Sequence, residues 1–153
     1  MSNDPFAPMW IAQINRKKPD PALDIMAMEY DTYYETRDES LIIAKPGAEL
    51  ALLEVQKLPW KFAARLDAMS PNQRHMVAFA ASCHRVKIGD TVIEAKVTRD
   101  KQNGILIAPE SWVDKIADHP RFGPMAILEA GQVACEFAML TAEQRRSFSF
   151  PPG

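Results

Sequence analysis

The sequence predicts an α+β fold: a small antiparallel sheet of hairpins packed against three to four helices, with extended N- and C-terminal arms. Three observations predict it. Residues 70–98 run a capped helix directly into a hairpin. Short apolar runs bounded by proline and glycine recur on either side of that stretch, and prolines crowd both ends of the chain. The division that follows is a Pro-rich arm over residues 1–24, a single α+β domain over 25–147, and an extended tail over 148–153.

Pro5, Pro8, Pro19 and Pro21 keep residues 1–24 from regular helix, yet Phe6, Met9, Trp10, Ile11 and Ile14 load them with apolar bulk. A solvated arm has no use for a tryptophan, so this arm is expected to dock, on its own domain or on a neighbour. Residues 23–39 follow, with five acids and three tyrosines between positions 29 and 39. They read as a solvated strand or loop; the sharper alternative is an acidic binding surface.

Ser40-Leu41-Ile42-Ile43-Ala44 is a short apolar strand closed by Pro46-Gly47, and residues 50–58 return as its antiparallel neighbour. Pro59 ends that strand and opens a helix from Trp60 to Met69, with Trp60, Ala63, Ala64, Leu66 and Met69 expected inward. Ser70-Pro71-Asn72-Gln73 then has the makings of a capping box, Ser70 and Gln73 each reaching the other's N–H. Met76, Phe79, Ala80 and Cys83 follow at spacings of three and four and predict the helix's buried face.

Arg85-Val86-Lys87-Ile88 alternates, as does the stretch Thr91 to Thr98 after Ile93, and Gly89-Asp90 between them supplies the reversal of a hairpin. After the turn Asp100-Lys101-Gln102-Asn103-Gly104 comes a strand at Ile105-Leu106-Ile107. A helix of about ten residues opens at Pro109 and ends before Pro120. The last long helix spans 124–140, where Gly131 and the alanines would admit another helix closely. Thr141-Ala142-Glu143-Gln144 repeats the capping-box pattern. Phe148-Ser149-Phe150-Pro151-Pro152 ends the chain too apolar for idle solvent and too Pro-rich for helix.

The totals exclude several classes of function. Apolar content is 47% and charged content 25%, which suits one packed domain and not a disordered chain. No apolar run nears membrane-spanning length and no leader pattern is seen, so no membrane association is expected. Net charge is −2, but residues 1–56 sum to −5, 57–101 to +5 and 102–153 to −2. The positive middle holds Lys57, Lys61, Arg65, Arg74, Arg85, Lys87, Lys96, Arg99 and Lys101. No interleaved aromatics accompany them, and nucleic acid is not expected as a partner.

Chemistry finds little purchase. His75, Cys83, His84, His119 and Cys135 lack metal-ligand spacing, and no glycine-rich phosphate loop or nucleophile elbow exists. Cys83 and Cys135 read as buried free thiols, and the pairs Asp114/Asp118 and Glu129/Glu136 as exposed surface. No catalytic residue, metal or cofactor is assigned, and the protein is read as no enzyme.

From Ile105 to Ser147 the order of a short strand, Pro109-Glu110-Ser111-Trp112, and a long helix running into Leu140-Thr141-Ala142-Glu143 resembles small bacteriophage virion and tail-region proteins, tail assembly chaperones in particular. The Phe-rich end and the apolar start depart from that pattern and suit a subunit locked into a particle. The resemblance implies a non-enzymatic structural or assembly protein, a minor head–tail or tail component made in the cytoplasm and ending in the virion. From the apolar arms, and not from the resemblance, the partners are read as other protein subunits, in a homo- or hetero-oligomeric assembly, with Phe6, Met9, Trp10, Ile11, Phe148 and Phe150 as interface anchors. A soluble tail assembly chaperone, or a regulatory protein binding through its acidic surface, is the alternative.

Overall fold

The short apolar runs at residues 40–45, 51–56 and 85–88 become the middle of a five-stranded antiparallel sheet. Its strands are β1 (Tyr33–Thr36), β2 (Ser40–Lys45), β3 (Ala51–Gln56), β4 (Arg85–Ile88) and β5 (Thr91–Glu94), in that spatial order. The computed structural model describes residue 6 and residues 33–36, 39–45 and 49–146. The other elements are α1 (Trp60–Leu66), α2 (Pro71–Ser82), β6 (Thr98–Asp100), β7 (Ile105–Ile107), α3 (Glu110–Ala117), α4 (Gly123–Ala138) and α5 (Ala142–Arg146). The class is α+β, as the sequence predicts. Among the described residues no helix is long and apolar enough to cross a membrane.

Register decides which face each side chain meets, because alternate residues of a strand point to opposite sides. Leu41 lies opposite Val55, Ile43 opposite Leu53, and Leu53 opposite Val86, so these five share one face. They join Ala78, Phe79, Val133 and Phe137 in the main core, where α2 and α4 cover the sheet. Ile42, Ala44 and Leu52 line the other face, and Phe6 is buried against them. Glu54 also belongs to that face, buried, with Arg85 Nη2 3.0 Å from its Oε1. Burying Glu54 costs desolvation that its contact with the half-buried Arg85 must offset.

Helices α2 and α4 cross where sequence had marked a small residue. A Cβ built on Gly131 would stand 1.9 Å from the His75 carbonyl oxygen, so only glycine permits this approach. Phe79 on α2 then stacks on Trp112 of α3, ring centroids 6.0 Å apart. Gly89, at φ +56°, makes the β4–β5 reversal, a conformation other residues adopt with strain.

Several local expectations are corrected. Trp60 is 60% exposed, because α1 buries Phe62, Ala63 and Leu66. At about 100° per residue Trp60 sits roughly 200° from Phe62, on the far side of the helix. Ala64 is exposed for the same reason. On α2 Phe79 and Cys83 are buried as expected and Ala80 partly so, but the buried set extends to Ala78, Ala81 and Ser82 and leaves Met76 49% exposed. Ser70 makes no side-chain cap. At Thr141 the same pattern does close: the Gln144 N–H donates to Thr141 Oγ1 at 3.1 Å and the Thr141 N–H to Gln144 Oε1 at 3.0 Å. The alternation from Thr91 to Thr98 is no single strand; it breaks after Glu94, and β6 pairs with β7 in a separate two-stranded sheet.

Candidate interaction surface

Helix α1 borders two open grooves, and three arginines hold backbone carbonyls, two of them beside the grooves and one at the β2–β3 turn. Arg74 reaches back from α2 to the end of α1, with Nε 3.2 Å from the Leu66 carbonyl and Nη2 3.3 Å from that of Met69. The Leu66 carbonyl also accepts the Met69 N–H at 2.9 Å, so the guanidinium reinforces the turn that closes α1. Its Nη1 also lies 3.5 Å from Asp67 Oδ1. In the same manner Arg145 Nη1 donates to the Leu140 carbonyl after α4, and Arg121 donates to the Lys45 and Glu49 carbonyls around the β2–β3 turn.

The first groove, of about 470 Å³, lies between α1, α2 and the β6–β7 hairpin. Phe62, Leu66, Met69, Val77 and Ile107 supply its apolar lining, and Arg65, Asp100, Gln102 and Asn103 its polar one. The hairpin turn is held by Asp100, whose carboxylate accepts the Gln102 N–H at 3.0 Å and the Asn103 amide at 2.7 Å. The Asn103 bond, chiefly, keeps that carboxyl below its ordinary pKa. Arg65 Nη1 bridges to Asn103 Oδ1 at 2.6 Å and ties helix to hairpin.

The second groove, of about 670 Å³, runs between α1, the start of α2 and the end of α4. His75, Cys135, Met139 and Leu140 are among its lining residues. Burial, helped by Arg74, holds His75 below the ordinary imidazole pKa, while burial pushes the Cys135 thiol up. Cys83 is fully buried and its thiol is pushed up further by the same cause. Among the described residues no three His, Cys, Asp or Glu side chains gather as a metal site would require.

The expected anchors divide. Phe6, expected in a neighbouring subunit, is 3% exposed and packs on the chain's own Ile42, Ala44 and Leu52. The hydrophobic face of β2 and β3 is a nearer partner than any neighbour. Met9, Trp10, Ile11, Phe148 and Phe150 lie outside the described residues. Trp60, which sequence reading sent inward, stands instead on the surface with Lys61 Nζ 5.9 Å from its ring centroid. Counting helical phase from Phe62 would have found it. Met125 and Met139 on or beside α4 are 73% and 51% exposed. Of the basic cluster, Arg65, Arg74, Arg85 and Arg99 already serve Asn103, α1, Glu54 and the Gly104 carbonyl.

No family model matches this chain, and no curated protein or solved structure matches it either.

Proposed function

We propose that the protein is a non-enzymatic assembly protein that works through protein–protein contacts and associates with copies of itself in a multi-subunit particle. The exposure of Trp60 carries this reading. A tryptophan left mostly in water on a small domain is uncommon, while large aromatic side chains are the usual anchors of protein interfaces, each worth about 2 kcal/mol or more. Met125 and Met139 add adaptable apolar surface of the kind that moulds to a partner. The likeness of the C-terminal half to phage tail and virion-assembly proteins suggests the setting, a minor component of a virion.

In this reading Met9, Trp10, Ile11, Phe148 and Phe150 remain anchors, and Phe6 does not. Deleting the N-terminal arm would therefore probe the fold as well as the assembly, since it removes Phe6 from the sheet. The cleaner test replaces Trp60 and Met125 by serine, both exposed, and compares masses by light scattering. The parent should exceed the 17.2 kDa of one chain and the variant should return to it. A parent that stays at one-chain mass at every concentration would hand the conclusion to the soluble chaperone or regulatory factor.

A further inference from the structure

We propose that the groove between α1 and the β6–β7 hairpin binds an acidic peptide segment of another protein and seats one large apolar side chain of that segment on its floor. The inference rests on the protein-contact reading above and names the chemistry of the partner.

The floor sets the first requirement. Phe62, Leu66, Met69, Val77 and Ile107 line a space of about 470 Å³, within the range that takes a small ligand or one aromatic side chain with its backbone. Only an apolar group gains by entering it. The rim sets the second. Arg65 lines the groove, and Lys101 lies between the lining residues Asp100 and Gln102. Arg99 donates to the Gly104 carbonyl in the same turn. Lys61 precedes Arg65 by four residues and so shares its helical face. All four are exposed.

Against these four cations stands one lining carboxylate, Asp100, which stays charged while it accepts the neutral Gln102 N–H and Asn103 amide. The rim is therefore positive in a chain of net charge −2, and charge of that sign steers and selects an acidic occupant. Nucleic acid has the same sign, but a phosphate backbone offers nothing to an apolar floor.

Fluorescence anisotropy tests this with the full chain and a labelled peptide of about ten residues alternating glutamate and tyrosine. Three further probes are a glutamate–serine peptide, a lysine–tyrosine peptide and a single-stranded oligothymidylate. Saturable binding of the glutamate–tyrosine peptide is expected, weaker by about tenfold or more in the double variant Arg65→Glu, Lys101→Glu and weakened as salt rises. Met69→Ser should also weaken it, while Arg65→Lys should largely preserve it. Thermal melts confirm that each variant is folded.

Equal binding of the glutamate–serine peptide would reduce the groove to bulk charge and overturn the proposal. So would tighter binding of oligothymidylate, no saturation by about 1 mM, or indifference to the charge reversal. Light scattering of the same double variant separates the two ideas. A variant that still self-associates while the peptide result is negative removes this inference and leaves the assembly reading standing.

Discussion

Replacing Gly131 by alanine should do far more harm than one methyl group suggests. The added Cβ would lie 1.9 Å from the His75 carbonyl oxygen, 2.6 Å from its carbon and 2.8 Å from its Cα. All three are backbone atoms of α2, so no rotamer change relieves the clash. The helices must part by roughly 1 Å or more, which loosens the Phe79 and Phe137 packing beneath them; overpacking of this kind costs about 3 kcal/mol. Alanine's better helix propensity returns about 1 kcal/mol. The net expectation is a loss of about 2 kcal/mol, or a melting point lower by roughly 4–8 °C for a chain of this size. Urea unfolding of Gly131→Ala beside the exposed neighbour Gln132→Ala measures it, with the neighbour expected within about 0.5 kcal/mol of the parent. A Gly131→Ala protein as stable as the parent would mean that the helices do not cross here.

Other perturbations follow from single contacts. Phe6→Ala should cost about 3 kcal/mol in urea unfolding, since the ring is buried against Ile42, Ala44 and Leu52; a change under about 0.5 kcal/mol would mean that it is no part of the core. Arg74→Ala should cost about 1–2 kcal/mol by loosening the turn that closes α1, and Arg74→Lys should fail to restore it because lysine has no fork to span two carbonyls. Burial holds His84 below its ordinary value of 6.5, against the opposing pull of the Ala80 and Leu106 carbonyls and of Glu54. The unfolded chain therefore takes up that proton first as pH falls. The contribution is complete above about 6.5 and is lost as pH drops through the folded value, so urea midpoints should decline from pH 7 to pH 5, and His84→Gln should flatten the decline.

Sequence made the class and most elements legible because their signals are local. Gly89 between alternating runs specifies its own hairpin, and Gly131 among alanines announced a close helix crossing before its partner was known. The capping box at Thr141 closes between two exposed side chains. At Ser70 the same pattern yielded no side-chain cap, while Arg74, three residues into α2, was drawn to the end of α1 instead. Those contacts lie five to eight residues back, between two helices, and the Ser70 pattern does not report them.

The candidate surface was less legible. Phe6 reads as a loose anchor until β2 and β3 show apolar residues on both faces, which is visible only as the unbroken run Leu41-Ile42-Ile43-Ala44. Trp60 reads as core by its residue type, and only the phase of a seven-residue helix places it outside. The groove beside α1 joins residues some forty positions apart, Arg65 with Asn103 and Phe62 with Ile107, through a hairpin whose docking no spacing encodes.

The assembly reading meets its most direct test in the mass of the purified chain, measured by light scattering across a range of concentrations beside the variant carrying Trp60→Ser and Met125→Ser. The account predicts species heavier than the 17.2 kDa chain that fall to that mass in the variant. One-chain mass throughout, in parent and variant alike, would contradict it.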